Sequence, residues 1–155
     1  MNEMKLQKAI TDRTEDVISF VERILKTENW PLKMQLLICM VVEEIYVNIA
    51  KYAYSPKTGP ASIQVEMEKD PPAVVITFTD RGIPYNPLAK PDPDVTLPAE
   101  MRQIGGLGIF MVKKSVDDIT YERKDGQNIL RIRKNLRPIQ TSEKTAGTGS
   151  QPKEV

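Results

Sequence analysis

Three short segments, in a fixed order along the chain, constrain its fold and function more than any other feature. Glu44 and Asn48 lie four residues apart in a stretch with helical character. Asp80-Arg81-Gly82 follows a run of β-forming residues, and Gly105-Gly106-Leu107-Gly108 opens a second helical stretch. Each segment alone is weak evidence for a site, because glycine-rich turns are common between elements. Their combination in this order is far more specific.

The overall composition is that of an ordinary soluble domain. The 155 residues are enough for one domain with a real hydrophobic core. Lysine and arginine number 22 and aspartate and glutamate 21, so no net field favours nucleic acid or an anionic membrane. No stretch is long and apolar enough to span a bilayer, and the first residues lack the apolar region of a signal peptide. We therefore expect a cytoplasmic protein that binds neither nucleic acid nor membranes directly.

The absence of histidine and the single cysteine exclude several chemistries. Without histidine, the chain cannot activate a serine through imidazole, hold zinc with histidine ligands or carry a phosphohistidine. Cys39 is the only cysteine, so neither a disulfide nor a cysteine-based metal site can form within one chain. We expect Cys39 to be a small residue of the core.

The spacing of apolar residues predicts an α+β domain. The predicted order is β-α-α-β-β-lid-α-β-β, which implies one mixed, mostly antiparallel sheet with helices on a single face, a two-layer sandwich. The run from Leu36 to Val42 is apolar on all sides and predicts a buried helix. The predicted strands are about 4–10, 61–67, 73–79, 118–124 and 128–134, and the predicted helices are about 11–26, 32–54 and 107–116.

Two segments are predicted to lie outside the regular elements. Residues 83–104 contain five prolines and little periodicity, and so long a connection inside a compact domain is usually a functional loop, so we predict a lid. Beyond Pro138 the chain has almost no apolar residues, which predicts a disordered tail. The expected organisation is a folded domain over residues 1–137 and a disordered tail over residues 138–155.

Glu44 and Asn48 are candidates for a site because of the helical stripe that they share. Residues i, i+4, i+7 and i+11 lie on one face, so Leu37 and Val41 belong to the same stripe. An ionised side chain on a stripe that begins apolar needs a partner, since burying an unpaired charge is costly. The alternative is that the stripe emerges into solvent beyond Val41.

The other two segments also allow either a structural or a ligand-binding interpretation. Asp80 and Gly82 suit a turn at a strand end. The glycines at 105, 106 and 108 suit flexible entry into a helix, but they also leave N–H groups unobstructed at its positive end, a ready anion site. The cluster is neither a Walker loop nor a Rossmann fingerprint. Arg102, three residues upstream, either reaches a terminal phosphate or is an exposed loop residue.

In this order, the three segments resemble the ATP site of the GHKL superfamily, which includes gyrase, Hsp90, histidine kinase and MutL relatives. The resemblance covers residues 10–136 and is strongest to the small bacterial anti-sigma-factor serine/threonine kinases. It implies the Bergerat ATP-binding fold, with ATP and Mg²⁺ as ligands.

The resemblance also implies a role for each matching residue. Glu44 would be the general base and Asn48 the Mg²⁺ ligand, roles that suit a carboxylate and an amide oxygen. Asp80 would accept a hydrogen bond from the exocyclic amine of adenine, and Gly82 would let the base approach the backbone. The phosphates would lie at the glycine-rich helix start. The residues expected there are Arg102, Gly105, Gly106, Leu107 and Gly108.

Two positions depart from the superfamily pattern. Pro84 occupies the second glycine position of the usual Asp-x-Gly-x-Gly, although the whole stretch from Asp80 to Pro87 is similar to the small-kinase branch. Tyr52 stands one turn after Asn48, where many relatives carry histidine. Because the glutamate–asparagine pair is intact, we expect ATP binding to survive.

The resemblance, together with the chain length and the absence of histidine, predicts a stand-alone protein kinase. Gyrase-, Hsp90- and MutL-like ATPases use large additional domains, and a sensor histidine kinase needs an acceptor histidine. By resemblance, the acceptor is a serine or threonine of a STAS-fold anti-sigma-factor antagonist, and the protein also binds a sigma factor and forms a homodimer. One alternative is a nucleotide-sensing anti-sigma or adaptor module without kinase activity. The other is an α+β domain that binds no nucleotide.

Overall fold

The computed structural model describes residues 1–89 and 107–136, and within them the chain forms a sheet covered on one face by helices. The strands are β1 Asn2–Leu6, β2 Ala61–Lys69, β3 Pro72–Asp80, β4 Asp118–Lys124 and β5 Gln127–Asn135, and the helices are α1 Thr14–Thr27, α2 Leu32–Tyr52 and α3 Leu107–Ser115. The five strands lie in the order β1-β2-β3-β5-β4, and every neighbouring pair is antiparallel. This confirms the predicted α+β two-layer sandwich.

The core lies between one face of the sheet and the helices. Successive strand side chains point to opposite faces, so one alternate set from each strand meets the helices. Ile63 of β2 is opposite Phe78 of β3, which is opposite Leu130 of β5, and all three are buried. The helices fill the other side of this layer with Val17, Val21, Leu25, Ile38, Val41, Val42 and Ile45.

The end of α2 is attached to the end of β3. The carbonyl of Ala53, the residue after α2, accepts a 3.0 Å hydrogen bond from the N–H of Ile83. Ile83 follows β3 by three residues, so the last turns of α2 lie over the edge of the sheet where β3 ends. This attachment brings the Glu44–Asn48 half of α2 towards Asp80, the last residue of β3.

Three predictions are wrong in detail. α2 is buried on one side only, because a helix in a two-layer sandwich keeps a face to solvent; Leu32 and Leu36 are 64% and 61% exposed. The first strand ends at Leu6 rather than near residue 10, since its partner strand begins at Ala61, directly opposite Leu6. Cys39 is half-buried rather than a fully enclosed core residue.

Asp125 and Gly126 form the hairpin turn between the predicted strands 118–124 and 128–134. Both residues have positive φ, 54° and 76°, as the favoured two-residue hairpin turns require. The turn joins β4 to β5 and sets the register that places Asn128 opposite Arg123, while the pairing of β5 with β3 places Asn128 opposite Asp80. None of the helices in residues 1–89 and 107–136 is long and apolar enough to cross a membrane.

Most of the predicted lid and the predicted tail fall on residues that the structure does not describe. The lid residues after Ala89 and the tail over residues 138–155 belong to this group. The division into a domain of residues 1–137 and a disordered tail therefore stays a prediction.

Candidate functional site

A cleft opens where α2, the end of β3 and the β4–β5 hairpin meet. It holds about 630 Å³ of empty space including its open mouth. Buried apolar side chains from α2, β3 and β5 form its floor. Such a floor with a few polar groups suits a flat aromatic ring that has hydrogen-bonding edges. The polar groups that line the cleft are Asn48, Tyr52, Asp80, Tyr85, Tyr121 and Asn128.

Asp80 presents one carboxylate oxygen to the protein and keeps the other available. The residue is 6% exposed. Its Oδ1 accepts hydrogen bonds from the Gly82 N–H at 2.8 Å and from Asn128 Nδ2 at 2.9 Å. Within the described part of the chain, Oδ2 has no hydrogen-bond donor. The second oxygen can therefore accept a hydrogen bond from a ligand amine, and the contact of Asp80 with adenine stays a prediction.

Asn128 is a member of the site that the sequence analysis did not identify. Its Nδ2 donates both to Asp80 Oδ1 and, at 2.8 Å, to the carbonyl of Ile83. Its Oδ1 accepts from the Tyr121 hydroxyl and, at 3.3 Å, from the Tyr85 N–H. The amide thus joins the Asp80 carboxylate to the backbone that follows it. A signal existed in the sequence, because the inward row of β5 otherwise carries Leu130 and Ile132 and a polar residue there needs a reason.

Gly82 is required by close backbone packing. A Cβ at this position would overlap the carbonyl of Ala53, which is backbone and cannot easily move. The Gly82 carbonyl in turn accepts a 2.9 Å hydrogen bond from Arg123 Nη1 on β4. The turn after β3 is therefore held by α2 on one side and by the hairpin on the other.

The structure also brings the first and third predicted segments together. A Cβ added to Gly108 would overlap Glu44 Oε1, so the glutamate carboxylate lies directly against the first turn of α3. Asn48, one turn further along α2, lines the cleft. The stripe predicted on α2 thus faces α3 and the cleft instead of emerging into solvent.

Within the part of the chain that the structure describes, neither polar side chain of this pair has a protein partner. Glu44 and Asn48 are both half-buried. Among residues 1–89 and 107–136, neither side chain makes a hydrogen bond, and Glu44 makes no ion pair. Within the described part of the chain, both side chains are therefore available to a ligand.

The remaining predicted residues of the phosphate end cannot be placed. Arg102, Gly105 and Gly106 lie outside the described residues, and Leu107 is described by its backbone alone. Their predicted contacts with phosphate therefore stay predictions. Gly108 is the one member of the glycine cluster whose surroundings are described.

The donor set fits a metal that arrives with a phosphate ligand rather than one held by the protein alone. The described residues contain no group of three or more aspartate, glutamate or cysteine side chains that could hold a cation. Mg²⁺ is commonly bound by one or two protein oxygens together with substrate phosphates and water. The free amide of Asn48 suits that arrangement.

Tyr52 and Tyr85 both line the cleft and are largely open to solvent. Their exposed fractions are 60% and 41%. Both tyrosines therefore lie on the solvent side of the cleft and not on its buried floor.

Comparison with known proteins gives the same family as the geometry. The model of the histidine kinase-like ATPase domain matches residues 8–134. The serine/threonine-protein kinase BtrW of Bordetella bronchiseptica is 24% identical over 134 residues, which cover 86% of this chain and 94% of BtrW.

Two solved structures share the fold. The RsbU and RsbW domains of Rv1364c from Mycobacterium tuberculosis align with a TM-score of 0.59 and 13% identity over 89% of this chain, which spans 34% of that longer protein. The SiaB–SiaC complex from Pseudomonas aeruginosa aligns with a TM-score of 0.54 and 15% identity, over 84% of this chain and 88% of its counterpart. From the family match, the fold and the arrangement of the cleft, we conclude that this chain belongs to the histidine kinase-like ATPase domain family of the GHKL superfamily.

Proposed function

We propose that this protein is a Mg²⁺-dependent, ATP-using serine/threonine kinase that phosphorylates a STAS-type anti-sigma-factor antagonist and regulates a sigma factor. The observation that carries the proposal is the Glu44 carboxylate against the first turn of α3, one helical turn from an asparagine that lines the Asp80 cleft. The site thus has a hydrogen-bond acceptor for an amine, Asp80, at one end. At the other end it has the Glu44 carboxylate beside the start of α3.

The site residues divide the chemistry among them. Asp80 accepts a hydrogen bond from the exocyclic amine of adenine, and the N–H groups at the start of α3 donate hydrogen bonds to phosphate oxygens. Asn48 contributes an oxygen to Mg²⁺. Bound ATP supplies the γ-phosphoryl group. Glu44 accepts the proton of the incoming hydroxyl while that oxygen bonds to the γ-phosphorus and the bond to ADP breaks.

A protein acceptor is supported by the relatives and by composition. BtrW is named a serine/threonine-protein kinase and matches along nearly its whole length. The chain contains no histidine, so transfer to a histidine of its own is excluded. We further propose that the protein works in the cytoplasm as a homodimer, as its resemblance to the small kinases implies.

The test is transfer of labelled phosphate from ATP with Mg²⁺ to candidate STAS proteins, comparing wild type with Glu44→Gln. Loss of a general base should lower transfer by about 10²–10⁴-fold, while ADP affinity stays at the wild-type level because the glutamine keeps the shape of the side chain. Glu43→Gln is the matched control, since Glu43 is exposed on another side of α2.

The possible results separate the proposal from its alternatives. Equal transfer by wild type and Glu44→Gln contradicts the catalytic role of Glu44. Nucleotide binding without phosphorylation of any candidate favours a nucleotide-sensing anti-sigma or adaptor module. A sigma-factor pull-down run in parallel identifies the regulated partner.

A further inference from the structure

The turn that carries Asp80 is fastened through three consecutive backbone amides. The N–H of Gly82 donates to Asp80 itself, and the N–H of Ile83 donates to the carbonyl of Ala53. The N–H of Arg81 donates at 2.7 Å to the hydroxyl of Tyr54. Two of the three acceptors therefore come from the two residues that follow α2.

Tyr54 is itself firmly placed. Its hydroxyl donates to the carbonyl of Pro60, just before β2. Its ring covers Gly59, where any Cβ would overlap the ring. Burial raises the pKa of the Tyr54 phenol, so the hydroxyl stays protonated and keeps donating to Pro60 at physiological pH. One side chain thus joins the end of α2, the loop before β2 and the turn after β3.

This connection matters because Arg81 is the residue between Asp80 and Gly82. If the Arg81 N–H lost its acceptor, the peptide after Asp80 would be free to rotate, and the Asp80–Gly82 hydrogen bond would weaken with it. Asn128 holds the carboxylate from the β5 side only. A fixed direction for the free Oδ2 needs both attachments.

We propose that Tyr54 is a positioning residue that sets the orientation of Asp80 for recognition of the purine exocyclic amine. Tyr54 lies just beyond the C-terminal end of α2, the helix that also carries Asn48. Tyr54 therefore connects the turn that would recognise the adenine base to the helix that would contribute the Mg²⁺ ligand. The inference rests on the proposed binding of an adenine nucleotide.

The test compares the affinities of ADP and IDP, each with Mg²⁺, for wild type and Tyr54→Phe. Hypoxanthine has a carbonyl in place of the exocyclic amine, so IDP lacks the donor that Asp80 is proposed to recognise. Tyr54→Phe keeps the ring over Gly59 and removes only the hydroxyl. We expect ADP to bind about 3- to 10-fold more weakly, the range for loss of one neutral hydrogen bond, and IDP affinity to stay the same.

Tyr46→Phe is the matched control. The Tyr46 hydroxyl donates a 2.7 Å hydrogen bond to the Ile10 carbonyl, and Tyr46 does not line the cleft. This variant should lose thermal stability without changing the ratio of ADP to IDP affinity. In an Asp80→Asn background, Tyr54→Phe should have no further effect on ADP affinity, because the two changes act through the same group.

Hydrogen exchange at the Gly82 N–H in the ligand-free protein gives a second readout. It should quicken in Tyr54→Phe and not in Tyr46→Phe, and it does not depend on nucleotide binding. Failure of wild type to bind ADP contradicts the proposed function alone. An unchanged affinity ratio together with unchanged Gly82 exchange in Tyr54→Phe overturns the positioning role.

Discussion

The two oxygens of the Asp80 carboxylate have different tasks, which makes one substitution informative. Oδ1 accepts hydrogen bonds from Gly82 and Asn128, while Oδ2 has no donor among the described residues. We predict that Asp80→Asn weakens ADP binding by roughly 10- to 150-fold, which corresponds to the 1.5–3 kcal/mol of a hydrogen bond to a charged group. Calorimetry of ADP with Mg²⁺ measures the change.

The control for this substitution is Asp70→Asn. Asp70 is exposed in the turn between β2 and β3, at the opposite end of the sheet. The Asp70→Asn substitution removes the same charge without changing the cleft, so ADP affinity should stay the same. Wild-type affinity in Asp80→Asn would remove Asp80 from the site.

At the scale of elements, the contact between α2 and α3 depends on a glycine. Alanine at Gly108 would meet the tip of the flexible Glu44 side chain, which can turn aside without moving backbone. We therefore predict that Gly108→Ala keeps the melting temperature of wild type but lowers phosphate transfer by about 10- to 100-fold, because a catalytic group displaced by about an ångström costs that much.

The comparison for Gly108→Ala is Ser115→Ala, at the far end of the same helix. Its hydroxyl bonds only the Met111 carbonyl within α3, so transfer should match wild type. Unimpaired transfer by Gly108→Ala, measured with the same labelled ATP assay, would show that the Glu44 position beside α3 is not needed.

The elements that sequence predicted well are those specified by local patterns. The run of β-forming residues in β3 and the Asp-Gly pair at the hairpin act over a few residues, and the structure has both the strand and the turn. The end of β1 was missed because it is set by where β2 begins, which is a tertiary pairing. Similarly, the exposed side of α2 follows from the number of layers in the fold and not from the helix sequence.

The candidate site shows the same division. Glu44, Asn48 and Asp80 were identified because they belong to ordered motifs. Asn128 and Tyr54 were not, since their importance lies in hydrogen bonds to a turn 45 and 27 residues away in sequence. Side chains that position others carry no motif of their own, so the partners that give them their role are known only from the folded arrangement.

At the scale of the whole molecule, two ends of one cleft are built from separate parts of the chain. In the proposed site, the turn after β3 and β5 form the end that would hold the base. Helix α2 and the start of α3 form the end that would hold the phosphates. α2 contributes to both, through Asn48 on the helix and Tyr54 after it. A nucleotide that fills the cleft should therefore affect all of these parts at the same concentration.

An amide NMR titration of the full chain with ADP and Mg²⁺ tests this claim most directly. We predict that the backbone amides of Gly82 and Gly108 and the side-chain amide of Asn128 shift together with one dissociation constant. The side-chain amide of Asn48 should respond fully only when Mg²⁺ is present, because the metal is its expected partner. If these amides stay unchanged at saturating ADP, or shift with unrelated constants, the three segments do not form one nucleotide site.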